Sequence, residues 1–266
     1  KRRPDRMADF STKLKDGCGA LTPIRFEATD GQTDDIPTSE VVTSWNTARN
    51  AVYQRIRAAR KGWKDLESYK ERQLLMSDGE RGRAFSHIRA WRHCVQLGRP
   101  ILVLEDDATP TVDFTPILRR ALWSVPVGTH LLYLGYSQAA DWRSEISPEL
   151  VEAEYVWTTV AYIIWPAGAQ LLLSRLPINQ PVDNWMACMS ADRHLKALCV
   201  RPKIIRQREA WNVNSDIRHS DEKPDTGDVS CTNNSSDQTE MEKLLIQEVG
   251  SDAGLTATSV GHVASQ

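Results

Sequence analysis

Three acids in a row, Glu105-Asp106-Asp107, follow directly on the apolar run Ile101–Leu104. A strand that ends in carboxylates presents them to a pocket, because ligands of open α/β sheets bind beyond the carboxyl ends of strands. Adjacent carboxylates repel one another, and a divalent cation relieves that repulsion. Oxygen-only ligands favour Mg²⁺ or Mn²⁺ over zinc. A solvated loop with acids near the next helix N-terminus satisfies the same pattern. A phosphatase, a nuclease, a receiver domain and a sugar-nucleotide transferase all fit this cluster. A second segment, "MSDGERGRAFSHIRAW", places Ser86 and His87 inside a helix that Ser77 or Asp78 can cap. A lone histidine on a helix is more often structural than catalytic. In a third, "LPINQPVDNWM", Pro181 puts Asp183 at or near a helix start. There it is either an N-cap or a carboxylate base at a pocket mouth.

The elements that carry these residues alternate. Pro23–Gly31 reads as a short strand ending in a turn, and Ser44–Lys70 as a helix with Trp45, Ala48, Val52, Ile56 and Ala59 at helical spacing. A second helix has Ala84, Ile88, Trp91 and Val95 as its stripe and Gly98 as its stop. The run "PILVLEDD" reads as a strand buried on both faces, as in a parallel sheet. A helix near Phe114–Trp123 follows, then strands at His130–Gly135 and Val156–Trp165. Helices at "AGAQLLLSRL" and from Val182 to Leu198, and a strand at Lys203–Gln207, complete the series. Strands alternating with helices predict an α/β layered fold.

The composition of the 266 residues is that of a globular protein, 41% hydrophobic and 26% charged. A formal net charge of −2 argues against a general nucleic-acid binder. From Ser220 onward nine acids stand against two lysines, and before it 26 acids against 31 basic residues. The net positive first part suits an anionic small molecule such as a nucleotide diphosphate. Residues 1–219 are therefore expected to fold, and 220–266 to form an acidic, mostly disordered tail with a short helix at Glu240–Val249. All nine tryptophans lie in the first part. The tail's sequons, Asn233 and Asn234, matter only in a secretory setting. The five cysteines form no CxxC pair, so zinc fingers and disulfide frameworks are not expected, and Cys188 and Cys199 read as buried thiols. No apolar run reaches the roughly 20 residues of a bilayer span. The basic start has no apolar stretch behind it, so it does not read as a signal peptide. Localisation and oligomeric state are not legible.

Taken in order, these segments resemble glycosyltransferase family 25, from residue 1 to about residue 220. The resemblance is carried by "RRPDRM", "FEATDG", "SDGERGRAFSHIRAW", "ILVLEDDA", "TTVAYIIWPAGAQLLL", "PVDNWM" and "RQREAWNVNSDIRHS". It implies a GT-A type, Rossmann-like nucleotide-sugar-binding fold and a metal-dependent hexosyl transfer with inversion. The expected donor is a UDP-hexose, with galactose the family default. The expected acceptor is a glycan, a lipooligosaccharide or a protein hydroxyl. In this resemblance Glu105 lies toward the ribose or sugar and shares the metal with Asp107, with Asp106 beside the donor. The metal, Mn²⁺ or Mg²⁺, acts as a Lewis acid on the departing diphosphate. Inversion needs a base for the acceptor hydroxyl, and Asp183 is the candidate with Asp216 in reserve. His219 completes the metal shell. Arg2, Arg3 and Arg6 contact the diphosphate or uracil, Asp30 the base or ribose, and Ser86 and His87 line the donor site. Trp157, Trp165, Trp185 and Trp211 are candidates to stack on an acceptor sugar, with core packing as the ordinary role for most.

Two departures stand out. The chain starts at the family's Arg-rich turn, so the first strand of the sheet is expected to be missing. Arg81 and Arg83 stand where the family is often apolar or small. The competing expectation is a non-catalytic relative that binds sugar nucleotides or glycans. A metal-dependent phosphohydrolase explains the acid-ended strand but not the other blocks.

Overall fold

The computed structural model describes residues 8, 10–14, 23–53 and 72–207, and the backbone of 244–248. Among these, one mixed sheet carries the architecture. Its strands, numbered along the chain, are β1 (Ile24–Arg25), β4 (Ile101–Glu105), β6 (Leu131–Gln138), β7 (Ser144–Ser147), β8 (Leu150–Glu152), β9 (Val156–Ile164), β10 (Ala197–Val200) and β12 (Leu244–Glu248). They lie in the order β1-β12-β4-β9-β6-β10-β8-β7. Two short ribbons flank it: β2 (Ser44–Asn46) with β3 (Gln73–Leu75), and β5 (Ala108–Pro110) with β11 (Ile205–Gln207).

The sheet separates two apolar layers, because strand side chains alternate faces. Ile101 and Val103 of β4 pack on one side with α1 (Asp78–Leu97), α3 (Pro166–Leu173) and α4 (Val182–Ala191). Leu102 and Leu104 pack on the other with α2 (Phe114–Trp123) and with Phe10 and Leu14. Every residue of β4 is buried. Burying each of its Leu, Ile and Val side chains contributes roughly 1.5–3 kcal/mol.

Helix α1 is bounded by local chemistry. Ser77 accepts the Glu80 N–H while the Glu80 carboxylate accepts the Ser77 N–H, a reciprocal capping box. Gly98 ends the helix at φ 65°, where a side chain would be strained. Both ends agree with the sequence expectation.

Several expectations are corrected. The strand of the acid cluster is buried on both faces, but its neighbours β9 and β12 run antiparallel to it, and β6 with β10 is the parallel pairing. A doubly buried run has the same composition whichever way its neighbours run. Ser44–Asn46 forms a strand rather than a helix start, with Trp45 paired to Leu74. The Asn46 side chain accepts the Ala48 N–H, and residues 48–53 are helical. The helix from Val182 ends at Ala191; Arg193 turns at φ 60° and Ala197–Val200 becomes β10 between β6 and β8. A four-residue apolar run is short enough to serve as either element. Leu244–Glu248, expected in a helix, is a strand paired along β4 and β1. The open backbone of β4 offers a ladder that a five-residue helix cannot match.

Candidate active site

The acid cluster sits where β4 leaves the sheet. Alternation from Ile101 and Val103 turns Glu105 toward α1, and there its carboxylate is enclosed, 2% exposed. Arg83 Nη2 donates to both Glu105 oxygens at 2.7 and 2.9 Å and to Thr159 Oγ1 at 2.9 Å. The Thr159 hydroxyl in turn donates a hydrogen bond to Glu105 Oε1, at 2.6 Å. Arg83 is thus the counter-ion of Glu105.

A second chain of donors reaches the same carboxylate. His87 Nε2 faces Glu105 Oε1 at 3.5 Å, and an acceptor-only carboxylate there puts the imidazole proton on Nε2. Nδ1 then accepts from Tyr162 Oη at 2.7 Å, and Trp91 Nε1–H donates to that same oxygen at 3.1 Å. Burial lowers the His87 pKa, against the pull of Glu105, so the ring is neutral near pH 7. Burial alone would raise the Glu105 pKa, but Arg83, His87 and Thr159 outweigh it and hold the carboxyl well below its usual range. Glu105 is a buried, ionised anchor between α1, β4 and β9.

Asp106 is buried and Asp107 half-buried in the turn between β4 and β5. Pairing of Gln207 with Ala108 brings the Gln207 amide to Asp107 Oδ2 at 3.0 Å. Sequence reasoning missed Gln207 as a site residue; its position at the end of an apolar strand was the available signal. No group of three or more His, Cys, Asp or Glu among the described residues is arranged to hold a metal ion. Asp106 and Asp107 are the carboxylates of this turn that could supply oxygen ligands to a divalent cation, a class of ion that one or two carboxylates and substrate phosphates can hold.

Beside the acids, the start of α1 is pressed onto the 29–31 turn. A Cβ on Gly82 would lie 2.7 Å from the Thr29 carbonyl oxygen, so only glycine permits the contact. Ser86 is buried in this joint, accepting the Thr29 N–H at 2.8 Å and donating to the Gly82 carbonyl at 2.7 Å. Asp30 is buried and shapes the turn: Oδ1 accepts the Gln32 N–H, and its own N–H donates to Asp34. Ser86 and Asp30 thus hold backbone at the site's edge. Arg81 reaches the Ile36 carbonyl at 2.8 Å.

Asp183 lies in the first turn of α4, whose N-cap is Pro181, so the N-cap reading does not apply to it. It is half-buried, and Oδ1 accepts the Asn184 N–H. Helix α4, which carries it, packs on β9 and on α1. In the loop before α4, Gln180 accepts from Asn50 at 3.2 Å, and Asn50 accepts from Tyr155. Tyr53 stacks on Tyr155 with centroids 3.6 Å apart, and Trp157 meets Tyr155 edge-on. Trp185 stacks on Trp91 in the core, and Trp165 packs against the α2 layer. Arg2, Arg3, Arg6, Trp211, Asp216 and His219 lie outside the described residues.

The family model "Glycosyltransferase family 25 (LPS biosynthesis protein)" matches residues 2–146. A "Glycosyltransferase 25 family member" of Anopheles gambiae is 33% identical over 151 residues, 52% of this chain and 24% of the relative. Procollagen galactosyltransferase 1 of Danio rerio is 33% identical over 124 residues, 43% of this chain and 20% of the relative. The human "Inactive glycosyltransferase 25 family member 3" is 34% identical over 128 residues, 45% of this chain and 21% of the relative. The chain spans about a quarter or less of the length of these relatives. A galactosyltransferase and an inactive member are equally similar to it, so identity does not separate the two.

Proposed function

The chain belongs to glycosyltransferase family 25, and from that premise we propose that it is a metal-dependent inverting hexosyltransferase. It moves a hexose, galactose by preference, from a UDP-sugar to a glycan, lipooligosaccharide or protein hydroxyl. The observation that carries this reading is the division of labour within the acid cluster. Glu105 is neutralised and fixed by Arg83, Thr159 and His87, while Asp106 and Asp107 continue beyond the strand into the turn. A buried pair that rigid sets the direction of the next two carboxylates.

In this reading the sheet is of GT-A type. Asp107, oriented by Gln207, and Asp106 hold a Mn²⁺ or Mg²⁺ ion. The ion, when bound, supplies Lewis acidity to the departing diphosphate. The 29–31 turn, bolted by Ser86, forms the edge on which the nucleotide rests, and Arg3 and Arg6 approach its phosphates. Asp183 takes the proton from the acceptor hydroxyl as that oxygen attacks the anomeric carbon from the face opposite UDP. Asp216 is the reserve base, and His219 a further metal ligand.

The competing reading is a family member that binds without transferring. It stands beside the first because relatives named inactive are as similar to this chain as the galactosyltransferase is. Calorimetric titration of UDP separates the cases when combined with a transfer assay. Transferase activity requires Mn²⁺-dependent UDP binding that Asp107→Ala abolishes. It also requires Asp183→Asn to cut turnover by about 100-fold or more while leaving UDP affinity within about twofold. UDP binding with no transfer to any acceptor class, nor donor hydrolysis, would establish the binding-only reading instead.

A further inference from the structure

The side-chain alternation of β9 breaks beside the Glu105 network. Ile164 and Tyr162 face the α1 layer, and Ile163 and Ala161 the α2 layer. Strict alternation would turn Val160 toward α1 and Thr159 away from it. Instead Val160 packs in the α2 layer, and Thr159 bonds Arg83 and Glu105 on the α1 side. The backbone shows how. Gly135 pairs with Ala161 and Ser137 with Trp157, so Tyr136 alone stands opposite Thr158, Thr159 and Val160. Within this bulge Thr158 adopts φ 73°. A β-branched residue in that region is strained, and such strain persists only where surrounding structure enforces it. Bulges of this kind re-aim side chains.

We propose that Thr158 is a positioning residue of the donor site: its left-handed backbone turns Thr159 onto the α1 face, where the Thr159 hydroxyl joins Arg83 in locking Glu105. The lock keeps the Glu105 carboxylate directed into the protein. It thereby leaves the turn acids Asp106 and Asp107 to the donor and its cation. Thr158 touches neither; it acts through Thr159. The assignment to a donor site rests on the transferase reading, whereas the bulge, the strain and the lock do not.

The test is a mutant cycle with two independent readouts, Tm by circular dichroism and UDP affinity in Mn²⁺ by calorimetry. Thr158→Gly adopts the left-handed region without strain. It is expected to raise Tm by about 2–4 °C with affinity unchanged. Thr158→Ile resists that region more than threonine does. It is expected to weaken UDP binding about tenfold, roughly 1.4 kcal/mol, and to lower Tm. Thr159→Val is expected to do the same, and Thr158→Ile/Thr159→Val no more than Thr159→Val alone. Thr158→Ala carries the same cycle at smaller amplitude should Thr158→Ile not fold. Additive effects in the double variant, or no gain in Tm for Thr158→Gly, would overturn the proposal. A wild-type chain that binds no UDP in Mn²⁺ defeats the transferase reading alone; the Tm arm of the cycle still decides the lock.

Discussion

Glu105 shows how one carboxylate changes meaning with its surroundings. In an aqueous loop it would be a metal ligand in waiting; enclosed by Arg83, Thr159 and His87 it is a fixed charge. Removing one partner of a buried pair leaves the other uncompensated, which typically costs about 3–5 kcal/mol. Arg83→Met is expected to lose that much in urea unfolding. Arg83→Met/Glu105→Leu is expected to recover most of it, and a double variant as unstable as the single would count against the pair as a unit. The same network makes stability depend on pH. His87 has a lowered pKa in the fold, so below about pH 6.5 the unfolded chain binds a proton that the native chain refuses. Glu105 is lowered too, so a second loss begins below about pH 4.5, where the unfolded carboxyl titrates. In both steps the unfolded state holds more protons, and stability falls as pH falls. Urea unfolding between pH 7.5 and 2.5 should show both steps, and Glu105→Gln should remove the lower one.

Helix α1 carries Arg83, Ser86 and His87 on one side and docks its first turn on the 29–31 backbone. Its placement depends on two small features. Gly82→Ala would drive a methyl group into the Thr29 carbonyl. The helix would have to shift off the turn, at an expected loss of about 1–3 kcal/mol together with weaker UDP binding. Ser77→Ala removes the capping box at the same end and is expected to cost about 1 kcal/mol with UDP affinity unchanged. Thermal melts paired with calorimetry distinguish a helix that has moved from one that has merely frayed. Equal losses of affinity in the two variants would contradict this account. The cap and the Gly98 stop were legible in the sequence because each is a contact between near neighbours. The partner of Gly82 lies 53 positions earlier in the chain, and no local pattern announces it.

At the scale of the whole molecule, β4 is central because both its edges are paired. On one side β9 supplies residues from 161 to 164; on the other, Leu244–Glu248 supplies backbone from the acidic end of the chain. Proline at position 246 cannot donate to the ladder opposite Val103. Ile246→Pro is therefore expected to speed amide exchange along β4 and lower the melting temperature. Unchanged exchange would show that β12 does not hold that edge. Among the described residues no helix is long and apolar enough to cross a membrane. The α/β class, the two-faced burial of Ile101–Leu104 and the location of the acid cluster follow from composition, period and turn residues, which act over a few positions. Tertiary structure decided strand direction, the strand at Ser44–Asn46, the short α4 and the partners of Glu105. The same apolar run satisfies either neighbour direction, and a carboxylate becomes anchor or ligand according to which side chains from distant segments reach it first.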